Sequence, residues 1–396
     1  MQSLVLDNGF TILHEPRPHQ SIGMCLMVRV GALGETSKIS GISHFIEHML
    51  FEGTRKRSAY DIAYAVEKVG GEINAYTAQD RTCITARTLR KHLDDVLDVV
   101  HDVVTHPLFA RDSVTKERSV VLSEIAMRRD EPRCLQWDLL TSRLFKGTKA
   151  ALPVLGTKSS VSSLTSQNLA DFFRSHYHPS NMILSIVGGL RKDVERVKSL
   201  FSTLHGRQKP DEYAPVPVRQ KKRTSHRSLR NHQSYLMLGV RAPPSHHPDA
   251  PVFEVIRAIL ARGMSGRLFN EIRIKRGLGY DVGAHFVSGA FYSLFVANAV
   301  ASATDITECE RLLRANLAGI ASVSSQDIRD AKAFLEAERI FEQEDQEQYA
   351  DTLAYAWYAG VDISAYDKAI QAVSRDDVAR VAKEYLSGPF TRVCLE

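Results

Sequence analysis

The stretch GISHFIEHMLF, residues 41–51, carries the strongest structural and chemical signal in the chain. Ser43 is a preferred helix-capping residue, so a helix is expected to begin there and to run to about Phe51. His44 and His48 are four residues apart and therefore lie on one face of that helix. Both imidazoles can then reach the same metal ion.

Glu47 lies between these histidines and is expected to project beside the metal ion that they share. Two histidines and one carboxylate ligand leave a tetrahedral position open for water, which is typical of catalytic rather than structural zinc. Zinc lowers the pKa of such a water towards ~7, and Glu47 is placed to take its proton. The alternative is two ordinary histidines on a helix, because with 15 histidines chance produces this pattern in roughly a few per cent of chains.

A third ligand is expected from the helical pattern at residues 112–130, where Glu117 and Glu124 are two helical turns apart. Such a helix can present Glu124 to the metal and let Glu117 hydrogen-bond a ligand or the bound water. Asp112 is the predicted N-cap, and the helix ends before Pro132. Without the two histidines, both glutamates would be interpreted as solvent-facing residues of an amphipathic helix.

The segments around the motif predict a mixture of strands and helices. Residues 10–14, 24–30 and 72–88 have the short, β-rich pattern of strands, and the last segment suits two of them. Helical patterns cover residues 60–69, closed by two glycines, and residues 90–104. Because the order is not strictly βαβ, we predict an α+β fold in which each half has an antiparallel-rich sheet with helices packed on one face.

At 396 residues the chain exceeds the size at which one hydrophobic core stops growing, so two domains are expected. A weak internal repeat supports this, since LMVRV at 26–30 aligns with LMLGV at 236–240. The predicted parts are a zinc-binding catalytic domain at 1–205, a linker at 206–232 and a similar non-catalytic domain at 233–396.

The chemistry of the motif is not repeated in the second half. At the same shift of 210 positions, His44, Glu47 and His48 align with Glu254, Arg257 and Ala258. Only the N-terminal half is therefore expected to bind zinc.

The bulk composition argues against several classes of protein. A formal charge of +5 is mild for this length and does not call for a nucleic-acid or membrane partner. The five cysteines are scattered and form no C-x-x-C pair, which argues against a disulfide framework or a cysteine zinc site and favours a reducing compartment. Neither a leader sequence nor an apolar stretch of the ~20 residues that span a bilayer is recognisable. We therefore expect a cytoplasmic protein.

The basic run Lys221-Lys222-Arg223 allows another interpretation, which is nucleic-acid binding through residues 219–231. No aromatic residues interleave these charges, although aromatic stacking is usual in single-strand binding. The prolines before the run are typical of a connector. A solvated linker is the preferred interpretation.

Together, these motifs resemble the pitrilysin/insulinase family of zinc peptidases, whose inverted motif is H-x-x-E-H. In that family the ligand glutamate follows the second histidine by about 76 residues. Here His48 and Glu124 are separated by 76 positions. The further acidic residue of the family, seven before the ligand glutamate, corresponds to Glu117.

The resemblance also implies substrate-binding residues. GGEINAYT at 70–77 is similar to the family's strand beside the active site, which implies that Asn74 and Ala75 contact the substrate backbone. RIKRGLGY at 273–280 is similar to the segment in which an arginine and a tyrosine bind substrate opposite the zinc. Arg273 and Tyr280 fit that pattern, whereas by itself the segment predicts only a helix followed by a glycine turn.

The half-length chain is similar to the two-domain members of the family, such as the mitochondrial processing peptidase subunits and their prokaryotic relatives. Because the zinc motif and the Arg–Tyr pair both occur here, the resemblance implies a homodimer enclosing a chamber, with Arg273 and Tyr280 facing the partner's zinc. The expected activity is that of a zinc metalloendopeptidase acting on peptides or unfolded polypeptide segments. The alternative is a non-catalytic scaffold member of the same fold.

Overall fold

Two β-sheets organise the computed structural model, which describes residues 1–190, 192–206, 208–218, 223–227 and 233–396. Each sheet lies in one of two compact units. The first unit comprises Met1–Ala126, Leu152–Tyr213 and Phe341–Tyr358, and the second comprises Met127–Ala151, Ala214–Ile340 and Ala359–Glu396.

The sheet of the first unit has six strands. They are β1 (Gln2–Val5), β2 (Thr11–Glu15), β3 (Ser21–Val28), β4 (Glu72–Thr77), β5 (Thr82–Leu89) and β6 (Met182–Gly188). Their order is β1-β2-β6-β3-β5-β4. β2 and β6 are parallel, and the other neighbouring strands are antiparallel.

The sheet of the second unit has five described strands. They are β7 (Arg223–Arg227), β8 (Gln233–Ala242), β9 (Asp281–Ser288), β10 (Ser293–Ser302) and β11 (Thr391–Leu395). Their order is β7-β11-β8-β10-β9, in which only β7 and β11 are parallel.

The strands of the two units are joined and covered by helices. They are α1 (Ile42–Leu50), α2 (Ala59–Glu67), α3 (Leu93–Thr105), α4 (Arg111–Asp130), α5 (Pro132–Leu144), α6 (Lys158–Ser163), α7 (Ser166–His176), α8 (Asp193–Phe201), α9 (Ala250–Ala261), α10 (Arg267–Phe269), α11 (Ile306–Gly319), α12 (Ser325–Glu344), α13 (Gln346–Ala359), α14 (Ile363–Ala372) and α15 (Arg375–Val381). The helices predicted at 60–69, 90–104 and 112–130 correspond to α2, α3 and α4.

The two sheets share one topology. The order β2-β6-β3-β5-β4 in the first unit is matched by β7-β11-β8-β10-β9 in the second, and the parallel pair has the same place in both. The aligned segments of the internal repeat fall on β3 and β8. The prediction of an α+β fold with two similar, antiparallel-rich domains is therefore confirmed.

One face of each sheet carries the hydrophobic core. In the first unit, alternate residues of β3 from Ile22 to Val28 are buried in the same cluster as Phe45 of α1. In the second unit, alternate residues of β8 from Leu236 to Ala242 are buried with Phe253 of α9. The alternation follows from the strand period of two, which turns every second side chain towards the helices.

The opposite face of each sheet is covered by a helix that the sequence analysis did not assign, so helices lie on both faces of each sheet and not only on the predicted one. In the first unit α13 approaches β3 so closely that a Cβ atom on Gly23 would lie 2.3 Å from the backbone of Gln346. In the second unit α5 covers β8, where Arg241 Nε donates a 2.8 Å hydrogen bond to the carbonyl oxygen of Leu144.

These covering helices make the compact units differ from the contiguous ranges 1–205 and 233–396. Helix α5 lies within the first range but belongs to the second unit, and α13 lies within the second range but belongs to the first unit. The physical reason is that hydrophobic periodicity shows that a helix has an apolar face, but not which sheet that face covers.

The predicted linker at 206–232 contains a strand. β7 (Arg223–Arg227) pairs in parallel with β11 at the edge of the second sheet, so the linker prediction is wrong for these residues. An edge strand can be polar on both faces, which removes the alternation that would have revealed it. Residues 207, 219–222 and 228–232, which include most of the predicted nucleic-acid segment, lie outside the described residues.

All five cysteines carry free thiols. Among the helices of the described chain, none combines the length and the apolarity that crossing a bilayer requires.

His101, on α3, is a buried histidine of the first unit. It is 6% exposed, and its ring packs edge-on against Phe201 with the ring centroids 5.2 Å apart. Neither ring nitrogen has a hydrogen-bond partner among the described residues. Burial, reinforced by His106 and Lys56, lowers the pKa of His101 to about 4.

The folded protein is therefore expected to lose stability as the pH falls from about 6.5, the pKa of an unfolded histidine, to about 4. Across this window the unfolded chain binds a proton that folded His101 does not. His101→Leu should reduce the loss of unfolding free energy between about pH 7 and about pH 5 by up to about 2 kcal/mol, measured by urea unfolding. His205→Leu, at an exposed histidine, is the matched control, and equal losses in the two variants would contradict the assignment.

Candidate metal centre

Helix α1, which carries the histidine motif, starts earlier than predicted. Its N-cap is Gly41 in the left-handed conformation, with φ of +90°, and Ser43 lies inside the helix. The buried Glu35 carboxylate accepts hydrogen bonds from the backbone N–H groups of Gly41 and Ser43, at 2.7 and 2.9 Å. The predicted Ser43 cap is therefore wrong, because Glu35 satisfies these donors. Burial raises the pKa of Glu35 to about 7, although both N–H groups oppose the shift.

His44, His48 and Glu124 converge between α1 and α4. Glu124 Oε2 is 3.5 Å from Nε2 of His44 and 3.5 Å from Nε2 of His48. The two imidazoles meet edge to face, with their ring centroids 4.7 Å apart. One ligand atom from each of these three residues lies within 4.8 Å of the other two.

This arrangement fits a zinc ion by distance and by donor type. Nitrogen and oxygen ligands at 2.0–2.1 Å from a tetrahedral zinc lie about 3.3 Å from one another, close to the observed separations. His44 is buried, whereas the Glu124 side chain is 38% exposed. The cluster is therefore fixed on the protein side and open on the other, as a site that admits a substrate must be.

Glu117, two turns before Glu124 on α4, also contacts the cluster. Its Oε2 atom is 3.2 Å from Nδ1 of His48, the ring nitrogen that points away from Glu124. A carboxylate in this position selects the tautomer in which Nδ1 carries the proton and Nε2 is left to bind a metal. Glu117 is 8% exposed, although it is a charged residue on a largely solvated helix.

Glu47 projects from α1 beside the cluster and is held by β4. The Thr77 hydroxyl donates a 2.5 Å hydrogen bond to Glu47 Oε2. Burial raises the pKa of Glu47, and the Thr77 hydrogen bond opposes the shift. Sequence reasoning missed Thr77, although it ends the quoted GGEINAYT stretch, because nothing in that stretch shows which face of β4 meets α1.

The electrostatics of the cluster are those of a cation site. Burial alone would lower the pKa of His48, but hydrogen bonds to Glu124 and Glu117, together with the charge of Glu47, raise it. Three carboxylates thus favour positive charge at the point where the imidazoles meet. A divalent ion would supply that charge.

Asn74 and Ala75 lie on β4, which forms one edge of the first sheet and pairs only with β5 among the described strands. Asn74 is exposed, and its Oδ1 accepts a 2.8 Å hydrogen bond from the backbone N–H of Ala75. A cavity of about 390 Å³ opens beside this edge. Its walls include Phe51, which follows α1, and the apolar side chains of Ile62 and Val66.

Arg273 and Tyr280 belong to the second unit, where the structure brings them together. Arg273 Nη1 donates a 2.6 Å hydrogen bond to the carbonyl oxygen of Tyr280, and its guanidinium lies 4.6 Å from the centre of the Tyr280 ring. Tyr280 is 69% exposed. A π-helical turn at Asn270–Ile274 and a left-handed Gly279 shape the segment that holds them.

The second unit has an arginine where the first has its metal cluster. Arg257 of α9 contacts Glu254 at 3.0 Å and Glu338 of α12 at 2.5 Å. Glu338 and Glu124 are each the fourteenth residue of a 20-residue helix, so they occupy equivalent places in the two units. Within the described residues, the second unit contains no metal-ligand cluster like that of His44, His48 and Glu124.

Two different family models match the N-terminal and C-terminal parts of the chain. Residues 11–158 match the model described as Insulinase (Peptidase family M16). Residues 163–335 match the model described as the peptidase M16 inactive domain. The two histidines, Glu47 and both glutamates of α4 all fall within the first match.

Two relatives and one solved structure match this chain over nearly its whole length. An uncharacterized zinc protease of Streptomyces coelicolor is 31% identical, over 96% of this chain and 86% of that protein. One from Mycobacterium leprae is 32% identical, over 96% and 88%. The crystal structure of a protease from Helicobacter pylori covers 100% of this chain and 99% of its own, with a TM-score of 0.93 at 23% identity, which establishes a shared fold.

The cap of α1 provides a test of how the centre is held. Glu35→Ala removes the acceptor for two N–H groups of the helix, and the expected loss of unfolding free energy is about 1–2 kcal/mol. Because His44 is the third residue of α1, zinc affinity should also fall about tenfold, measured by chelator competition.

The matched control is Ser58→Ala, which removes the side-chain cap of α2. It should lower stability and leave zinc affinity unchanged. Equal zinc affinity in the two variants would contradict a role of Glu35 in positioning the centre.

Proposed function

This chain belongs to the insulinase family, peptidase family M16, and we propose that it is a zinc metalloendopeptidase acting on peptides or unfolded polypeptide segments. The observation that carries the proposal is the approach of Glu124 to both His44 and His48, with Glu47 beside them. The names of its relatives, which include several zinc proteases, support the same class of reaction.

A zinc ion held by His44, His48 and Glu124 would supply Lewis-acid chemistry, polarising a water molecule and the carbonyl group of the scissile bond. The Glu47 carboxylate takes the proton of the attacking water. It then gives that proton to the departing amine, and the cycle ends with Glu47 ionised again. Its raised pKa brings the carboxyl group closer to the value suited to this exchange.

Thr77 and Glu117 position the reacting groups without reacting themselves. The Thr77 hydroxyl holds one oxygen of Glu47, which leaves the other free to face the water. Glu117 fixes the ring orientation of His48 from the side away from the substrate. Both contacts limit side-chain motion at the centre, and small displacements of catalytic groups are costly in rate.

The edge strand β4 supports binding of an extended substrate. Its outer edge is unpaired among the described strands, so a peptide can add to it by backbone hydrogen bonds near Asn74 and Ala75. Backbone recognition ignores most of the sequence, and we therefore propose broad specificity. The cavity lined by Phe51, Ile62 and Val66 is the place where one apolar side chain of the substrate would be selected.

We further propose that two copies of the chain pair around a chamber, in which Arg273 and Tyr280 of one copy serve the zinc centre of the other. The exposure of Tyr280 supports a role in contacting another molecule. The Arg273 guanidinium can donate to substrate carbonyl oxygens, including the one that becomes an oxyanion. Neither nucleic acid nor a membrane is proposed as a partner, and the five free thiols support a cytoplasmic location.

The alternative, a non-catalytic scaffold of the same fold, would not need an ordered metal centre. Elemental analysis of the purified protein distinguishes the two functions. A stoichiometric zinc content supports the peptidase, and its absence supports the scaffold.

Glu47→Gln should abolish hydrolysis without removing the metal. The amide cannot accept the proton of the attacking water, so kcat for an unfolded protein or a mixed peptide substrate is expected to fall about 10²–10⁴-fold. Zinc content should remain that of the unchanged protein. Glu52→Gln is the matched control, because it makes the same chemical change just beyond α1, at a residue paired with Lys116. Full activity in Glu47→Gln would exclude Glu47 as the base.

Mixing two inactive variants tests the pairing. Glu47→Gln lacks the base, and Arg273→Ala lacks the substrate-binding guanidinium. If each centre uses Arg273 of the partner, subunit exchange creates a mixed dimer with one complete centre, and activity is recovered. If each chain uses its own Arg273, every centre stays defective and mixing restores nothing. The measurement is peptide hydrolysis before and after exchange of the purified variants.

A further inference from the structure

A second cluster of metal-ligating side chains lies on the opposite face of the first sheet. It consists of Cys25 on β3, Cys83 on β5 and Asp351 on α13, and one ligand atom from each lies within 4.8 Å of the other two. Both cysteines are fully buried, and Asp351 is half-buried. All three residues belong to the first unit.

Strand register brings the two thiols together. Cys83 pairs with Met27 and Cys25 pairs with Thr85, so the cysteines are diagonal neighbours on adjacent antiparallel strands. Both point away from the core that contains Phe45 and towards α13. Diagonal neighbours on one face of a sheet are close enough to share a ligand.

A carboxylate and a phenol complete the cluster. The Cys25 thiol donates a 3.4 Å hydrogen bond to Asp351 Oδ1. The Tyr76 hydroxyl lies 2.7 Å from Oδ1 and 2.8 Å from Oδ2 of the same carboxylate. Tyr76 is directly opposite Cys83 in the sheet, so its phenol approaches from the same face as the thiols.

Buried cysteines often act only as small apolar side chains, and packing alone could explain two of them. Packing does not explain why an aspartate is directed at them. A carboxylate placed against two thiols and a phenol contributes nothing to an apolar contact and loses part of its hydration. Two sulfur donors and a carboxylate oxygen are instead a donor set for a tetrahedral, thiophilic divalent cation.

We propose that Cys25, Cys83 and Asp351 form a second, structural metal site for Zn²⁺, with the Tyr76 oxygen at the fourth position. Ligand atoms around such an ion lie about 3.3–3.8 Å apart. The separations among the two sulfurs and the Asp351 oxygen, at most 4.8 Å, therefore need to contract by no more than about 1.5 Å. The site does not depend on the proposed peptidase function, because it shares no residue with the centre at His44 and His48.

Binding of a divalent ion leaves a small net charge at this site. Each thiol releases its proton to solvent as a sulfur–metal bond replaces a sulfur–hydrogen bond. Two thiolates and one carboxylate around a divalent ion leave one negative charge. The Arg81 guanidinium lies beside this charge, because its Nε donates to the Tyr76 oxygen at 3.3 Å while its Nη1 pairs with Asp80 at 3.0 Å.

The position of the site suggests its effect. An ion bound there joins α13 directly to β3 and β5, two strands of the sheet that α13 covers. On β4, Tyr76 faces this site while the next residue, Thr77, faces Glu47. Binding at the thiols would therefore fix the same edge strand that holds the proposed general base.

Cobalt(II) is the probe that separates the two centres, because only thiolate ligands give it an intense sulfur-to-cobalt charge-transfer absorption. The experiment uses the full chain carrying His44→Ala and His48→Ala, reduced and stripped of metal. We expect this protein to bind about one cobalt ion with charge-transfer absorption. Adding Cys25→Ala and Cys83→Ala should abolish both the absorption and the bound ion. Asp351→Asn should weaken cobalt binding by about tenfold or more.

Cys309→Ala is the matched control, because Cys309 is a buried thiol in the core of the second unit. It should leave the cobalt spectrum unchanged. With His44 and His48 intact, the Cys25→Ala/Cys83→Ala protein should keep its far-ultraviolet circular dichroism and its zinc at α1, which excludes simple misfolding. Failure of the His44→Ala/His48→Ala protein to bind cobalt would overturn the proposal, as would a charge-transfer band that survives loss of Cys25 and Cys83.

Discussion

Three carboxylates are held against two imidazoles where α1 and α4 meet, and this concentration of charge constrains the rest of the first unit. Burial raises the pKa of Glu47, and the charge of Glu124 contributes to the rise, as expected for like charges that repel one another. The buried faces of α1 and α4 must hold Glu47, Glu117 and Glu124 in place against that repulsion. A cation removes the conflict. In the second unit the two equivalent glutamates need no bound ion. The side chain of Arg257 supplies a permanent positive charge between Glu254 and Glu338.

The part of the centre that could be predicted is the part encoded at short range. His44 and His48 are one helical turn apart, so any helix over that stretch places them together. Glu124 is 76 positions beyond His48, and its approach was expected mainly because the chain resembles a known family. The helix cap was predicted wrongly, because Glu35 acts through the loop before α1 rather than through a local capping residue. The contact of Thr77 with Glu47 depends on which face of β4 meets α1, and a six-residue strand does not disclose that.

The cluster of Cys25, Cys83 and Asp351 could not be predicted from the sequence at all. The sequence argues against a cysteine metal site because no two cysteines are close along the chain. Antiparallel pairing of β3 with β5 brings Cys25 beside Cys83, and α13 adds Asp351 from near the other end of the chain. Register and helix coverage are properties of the folded sheet. Ligand spacing along the chain therefore finds sites built on one helix or loop and misses those built across strands.

The covering helix α13 also bears on how the protein is made. The strands of the first sheet are all complete by Gly188, but the face that carries Cys25 is closed only by Gln346–Ala359. During synthesis, that face emerges from the ribosome well before the helix that shields it. Exposed apolar strands in an incomplete sheet are prone to associate with one another. The nascent chain thus passes through a long interval in which the sheet face that packs on α1 can be covered while the reverse face still lacks its helix.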